Sequence, residues 1–292
     1  MRSHPVKKSF AGTVRREPTA RSPLTKSAVT LLSVALFLAL PGVTAGAGDD
    51  PEARAIMEKV DARDDGDNMK ADMQMILIDK NQKKRERIMR TYVKDQGEDT
   101  YQLIFFTDPA SVRGTGFLTY DYDDPDKDDD QWLYLPALKT TKRIAAGDKT
   151  DSFMGSDFSY ADMTSPELEN YTYRLLKTDR VYGKKVWVIE STPVDQQVID
   201  TFGYDKSVVF VRQDNHVIVR SVLWVAGSDK IKYLDVKKME QIDGIWVAAE
   251  THMTTKRGGT TLHKTIMTRQ NIRFNQDLDD SLFTVRQLEK GL

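Results

Sequence analysis

The chain has 292 residues, with 43 basic and 44 acidic side chains and a net charge of −1. Without the first 47 residues, which carry seven basic side chains and one acidic, the balance becomes −7. An acidic chain of this kind argues against nucleic acid or an anionic membrane surface as its main partner. Cysteine is absent, which excludes disulfides and a lipidated cysteine and leaves a packed core to carry the stability.

The N-terminal stretch reads as an address. Lys7, Lys8, Arg15, Arg16, Arg21 and Lys26 precede an apolar run from Ala28 to Leu40, and Ala45-Gly46-Ala47 follows. A basic region, a short apolar region and a small-x-small site make a secretory signal peptide, residues 1–47, cleaved near Ala47. The apolar run is shorter than the ~20 residues that favour a membrane span. Residues 48–292 are expected to form a single exported domain, and a bacterial periplasm suits a secreted chain without cysteine.

Pro51 to Arg63 carries the one clear helical pattern, capped by Asp49 or Asp50, with Ala55, Ile56, Met57 and Val60 as its apolar stripe. The period then changes to two. Met69, Ala71, Met73, Met75 and Leu77 alternate with Lys70, Asp72 and Gln74, which predicts a strand with one buried face. Lys84 to Lys94, Tyr101 to Thr107, Gly114 to Tyr122 and Gln131 to Leu135 continue the series. Asp121 to Asp130 is strongly acidic, but it lacks the glycine and terminal glutamate of a Ca²⁺ loop and reads as a solvated hairpin connection.

Gln131 to Met163 breaks the pattern. Trp132-Leu133-Tyr134-Leu135 ends at Pro136, and Lys139, Lys142 and Arg143 follow. Phe153, Met154, Phe158, Tyr160 and Met163 then alternate with glycine, serine and aspartate. Apolar side chains on an irregular backbone describe a lid or a pocket lip better than a core strand. Beyond it, strands are predicted at Tyr171–Val181, Lys185–Thr192, Ser207–Arg212, Val217–Ala226, Lys230–Gln241, Gly244–Lys256 and Thr260–Phe274, separated by short turns such as Asp243-Gly244 and Gly258-Gly259. Short connections make neighbours of consecutive strands. The fold class is mainly β: one large antiparallel sheet, strongly curved or partly closed as a barrel.

No constellation for catalysis stands out. His216, His252 and His263 lack metal-ligand spacing, and no nucleophile elbow or phosphate loop is present. The expectation is a protein that is not an enzyme and needs no cofactor. The methionines carry more. Flexible thioethers on one strand face and in the irregular segment suit either a core or a variable apolar ligand. A sheet of this size encloses more apolar interior than one helix fills, so the central segment or a lipophilic ligand has to occupy it.

Leu133-Tyr134-Leu135-Pro136-Ala137-Leu138, then Arg143-Ile144, then the run Asp148 to Tyr160 (DKTDSFMGSDFSY) form a specific signature. With the ending Asp280-Ser281-Leu282-Phe283-Thr284, the sequence resembles the outer-membrane lipoprotein-sorting proteins with a LolA-like fold, in a branch that accompanies inner-membrane RND-type exporters. The resemblance implies a half-open β-barrel closed by a few helices, with a cavity for acyl chains. It also implies a periplasmic carrier that transfers lipid or acylated lipoprotein between an inner-membrane transporter, RND-type or ABC, and an outer-membrane acceptor. Met73, Met75, Phe105, Phe117, Trp132, Tyr134, Phe153, Met154, Phe158, Val222 and Trp224 are the expected ligand-binding side chains of cavity and lid. Lys139, Lys142 and Arg143 are expected to meet headgroups or a partner. Arg87, Arg90 and Arg143 are the candidates for the family's cavity arginine. The alternative is an adaptor that docks on an RND-type exporter, binds no lipid and fills its interior with its own side chains.

Overall fold

Alternating burial runs through most of the chain, and the structure, a computed structural model, describes residues 48–125 and 127–292. The signal peptide expected over residues 1–47 lies outside the described residues. Helix α1 (Pro51–Asp61) precedes strands β1 (Asn68–Asp79), β2 (Lys84–Gln96), β3 (Asp99–Asp108), β4 (Gly116–Asp121), β5 (Asp130–Leu135) and β6 (Thr140–Arg143). Residues 144–170 then run without a named strand through short 3₁₀ turns. Seven strands follow: β7 (Tyr171–Val181), β8 (Lys184–Pro193), β9 (Tyr204–Arg212), β10 (Ile218–Val225), β11 (Lys230–Ile242), β12 (Ile245–Arg257) and β13 (Thr260–Phe274). Helix α2 (Gln196–Phe202) lies between β8 and β9, and α3 (Val285–Lys290) follows β13.

All thirteen strands form one open antiparallel sheet in the order β6-β5-β4-β3-β2-β1-β13-β12-β11-β10-β9-β8-β7. The chain meanders outward from the middle to one edge, crosses over residues 144–170 to the other edge, and meanders back. Strand β13 then pairs with β1, Met75 opposite Met267 and Met69 opposite Phe274. The expected large antiparallel sheet is present, and it is not closed into a barrel.

The register fixes two faces. Met73 and Met75 of β1 lie opposite Met89 and Arg87 of β2, and the same face continues through Ile104, Phe117 and Leu133. On the other arm it carries Thr251, Met253, Leu234, Ser221 and Val209. This inner face is covered twice. Over β1 to β5 the segment 144–170 lays Phe153 and Phe158 on Met73, Met75, Phe106 and Phe117. Over β7 to β9, α1 packs Ala53, Ile56 and Met57 on Tyr173, Ile189 and Val209.

Asp50 caps α1, its carboxylate accepting from the Glu52 N–H at 2.9 Å, and Arg54 fixes the helix by donating to the carbonyls of Leu168 (2.8 Å) and Tyr171 (2.7 Å). The outer face of β3 to β5 is apolar as well. Leu103, Phe105 and Leu118 are buried there beneath Phe283 and Leu288 of the C-terminal segment, with Trp132 and Tyr134 beside them. Gly116 permits this packing: a Cβ at that position would stand 2.5 Å from Leu288 Cδ1 and 2.9 Å from Phe105 Cε1.

Candidate functional site

Between its two covers the inner face keeps empty space. A cavity of ≈ 420 Å³ is lined by Met73, Met89, Ile104, Phe153, Leu234 and Met267, among others. A second, of ≈ 260 Å³, is lined by Met57, Tyr171, Tyr173, Val209, Leu223 and Met253, among others. The two adjoin, since Phe158, Asp162, Ile218, Ser221 and Leu234 stand in the walls of both. Their walls are mostly apolar, and volumes of this size suit small-molecule ligands. A larger cleft of ≈ 950 Å³ on the segment's side toward α2 is lined by Asp151, Asp200, Lys230, Thr150 and several serines. Its wall mixes these polar groups with Phe158, Ile199, Phe202, Val225 and Leu262.

The segment that roofs these cavities is fastened at several points. Asp157 is buried, its side chain 1% exposed. Its carboxylate accepts from Thr255 Oγ1 at 2.5 Å, from Thr265 Oγ1 at 2.7 Å and lies 2.7 Å from His263 Nδ1. The Asp157 N–H donates to Thr265 Oγ1 at 2.9 Å. Arg87 donates to the Met154 carbonyl, where Met154 itself takes a positive φ of 52°. Burial, with Arg85 nearby, lowers the Arg87 pKa. Gln131 Nε2 donates to the Tyr160 carbonyl at 2.8 Å, and Lys142 pairs with Asp148 at 2.9 Å. Asp162 accepts from Tyr204 Oη at 2.8 Å and lies 3.5 Å from Lys232 Nζ. Farther along, the Ser165 N–H donates to Asp121 Oδ2 at 2.9 Å. Burial, reinforced by Asp129, pushes the Asp121 carboxyl up to about 8, and burial beside Asp123 pushes Glu167 up to about 7.

The expected site residues separate into two groups. Met73, Met75, Phe117, Phe153, Met154 and Phe158 come together on the inner side. Of these Met73, Phe153 and Phe158 line the larger cavity, while Phe117 packs against Phe153 in a tilted pair with ring centroids 5.0 Å apart. Phe105, Trp132 and Tyr134 lie on the opposite face, under the C-terminal segment. That face is buried by α3, which the sequence reading did not anticipate. Val222 and Trp224 also point away, because Ser221 and Leu223 of the same strand hold the inner positions. Lys206 Nζ sits 4.7 Å over the Trp224 ring.

The basic trio is dispersed. Lys139 occupies the turn after β5 with φ 49°, Lys142 is paired with Asp148 on the inner side, and Arg143 pairs with Asp130 on the outer side. Of the arginine candidates only Arg87 faces the segment, since Arg90 pairs with Asp72 across the strands. The sequence reading missed Arg269 in the cavity wall and the Asp157 clamp. The Asp157–His263 contact places two members of a triad together, but His263 Nε2 has no hydrogen-bond partner among the described residues. Among the described residues no hydroxyl donates to that nitrogen.

The comparisons agree with this geometry. A family model described only as an uncharacterised protein matches residues 98–290. A solved outer membrane lipoprotein-sorting protein domain from Vibrio parahaemolyticus is 32% identical, with 82% of this chain and 98% of that one covered and a TM-score of 0.74. A DUF1329 family protein from Desulfovibrio piger is 28% identical over 82% of this chain and 99% of that one, with a TM-score of 0.76. A LolA superfamily protein from Nitrosomonas europaea, 18% identical over 80% and 98%, has the same fold at a TM-score of 0.61. No curated protein sequence matches the chain.

Proposed function

The chain belongs to the DUF1329 family, within the lipoprotein-sorting proteins of LolA-like fold, and we propose that it is a periplasmic carrier that shelters the acyl part of a lipid or lipoprotein between the two covers of its sheet. The observation that carries the reading is the pair of adjoining apolar cavities, ≈ 420 and ≈ 260 Å³, left unfilled by the protein's own side chains. Apolar walls hold a chain at about 0.8 kcal/mol per buried CH₂, without a covalent step. Met73, Met89, Met253 and Met267 re-pack around chains of different length, because the thioether side chain is flexible and polarizable. Export through a signal peptide at residues 1–47, and handover between an inner-membrane transporter and an outer-membrane acceptor, are parts of the same proposal. An adaptor without cargo would instead fill its interior with its own side chains, as Phe153 does over the β1 to β5 arm.

The test is native mass spectrometry of the exported protein followed by organic extraction. A stoichiometric lipid supports the carrier reading and names its cargo. Ser221, buried at the junction of both cavities, supplies the matching variant. Ser221→Phe fills the shared space and is expected to lower lipid occupancy at least tenfold while the protein stays folded. Equal occupancy in a folded Ser221→Phe protein would remove these cavities as the site.

A further inference from the structure

Arg269 stands in the wall of the larger cavity on β13, opposite Met73 of β1. Arg269 is half-buried, and the surface it keeps contributes to the cavity wall. It donates one hydrogen bond, from Nη1 to the Ala248 carbonyl at 2.9 Å, and among the described residues no ion pair includes it. The acidic group that shares this wall, Asp162, is already engaged by Tyr204, Lys232 and the Ser159 N–H. Gln102, also in this wall, has a buried carboxamide oxygen without a partner, and an amide can turn to offer either a donor or an acceptor.

A guanidinium stays charged at any physiological pH, and a buried charge is ordinarily paired. A cation without a counter-charge, facing empty space among methionines, lacks an anion of suitable shape. The free edge of the guanidinium matches a planar or tetrahedral oxyanion through parallel N–H donors. Building on the carrier reading, we propose that Arg269 anchors the oxyanion head of a single-chain amphiphile, a carboxylate or a phosphate, whose chain then lies along the methionine-lined cavity. The head enters first and is read; the chain follows and is only accommodated. This orientation makes the protein selective for acidic lipids over neutral ones of equal chain length.

The experiment compares palmitate, methyl palmitate, lysophosphatidate and acetate by calorimetric titration at about pH 8, where the fatty carboxylate is ionised. The wild-type protein is expected to bind palmitate and lysophosphatidate about tenfold or more tightly than methyl palmitate, the gain of a charge-assisted hydrogen bond. Arg269→Met should bind acid and ester alike, at the wild-type ester affinity, and should melt no lower than wild type without lipid. Arg269→Gln carries the same expectation should the methionine variant fail to fold. Methyl palmitate binding without any preference for the acid would overturn the anchor and leave the carrier intact. A preference that survives in Arg269→Met or Arg269→Gln would overturn it too. Acetate binding as tightly as palmitate would reduce the site to one for small anions and refute the amphiphile. If neither palmitate nor methyl palmitate binds wild type, the carrier reading falls and the anchor falls with it.

Discussion

Replacing Asp157 by alanine should free the central segment from the β12–β13 arm. The carboxylate accepts from two threonine hydroxyls and contacts one imidazole nitrogen, all at 2.5 to 2.7 Å, in a position closed to solvent. Hydrogen bonds to a charged acceptor contribute about 1.5–3 kcal/mol each. The desolvation of the carboxylate is recovered on its removal, and the threonine hydroxyls can rotate toward other acceptors, so the full sum is not lost. The expected net loss is about 1–3 kcal/mol, the cost of leaving buried donors without their acceptor. Urea unfolding reads this as a lower midpoint with an unchanged slope.

Amide exchange locates the same loss. The Phe153 N–H bonds to the Phe158 carbonyl at 2.8 Å, and the Ala161 N–H to the Lys149 carbonyl at 2.8 Å; both should lose protection ahead of β1 and β13. A triple variant with Thr255→Val and Thr265→Val should recover part of the loss, since donor and acceptor then vanish together. A loss below about 1 kcal/mol, with protection in the segment unchanged, would refute the clamp.

Stability should fall as pH rises from about 4 to about 8. Asp121 is pushed up to about 8 in the folded protein and has an ordinary carboxyl pKa near 4 when unfolded, so over that interval the folded state binds the extra proton and each added pH unit disfavours it. Asp121→Asn should flatten the slope and raise the melting temperature at pH 8, with a residual slope from Glu167 below about 7; identical slopes in the two proteins would contradict this. Gly116→Ala should cost about 1–3 kcal/mol by overpacking against Leu288 and Phe105. It should also raise amide exchange in α3, measured by mass spectrometry, and an unchanged α3 would count against the close approach.

The sheet was legible in the sequence because its strands alternate. Tyr171–Val181 and Thr260–Phe274 are read to the residue, and Met73 and Met75 are placed correctly by period alone. Three elements are too short or too polar to leave such a trace. Strand β6 reads as a basic run, α2 offers one turn of apolar spacing, and α3 stands after an unremarkable tail. The missed α3 explains the misplaced site residues. Strands β3 to β5 are apolar on both sides, and without a cover for the second side Phe105, Trp132 and Tyr134 look like cavity wall. Arg269 was hidden for another reason. In the run Thr260–Phe274 it looks like any charged residue of an exposed strand, and only its register opposite Met73 turns it inward. Asp157 is likewise one of many polar residues until the crossing of residues 144–170 carries it to β12 and β13.

The pairing of β1 with β13 sets the order in which the molecule can assemble. Every other strand pair joins neighbours in the chain, whereas Met69 meets Phe274 across nearly the whole described sequence. Closing a loop of that length costs about 5 kcal/mol of chain entropy, far more than any hairpin, so two arcs of local hairpins are expected to form before the seam between them zips. The larger cavity draws its wall from both arcs, Met73 and Met89 from one, Leu234 and Met267 from the other. Until the seam closes, these side chains are a sticky open surface, and slow zipping would leave them open to aggregation.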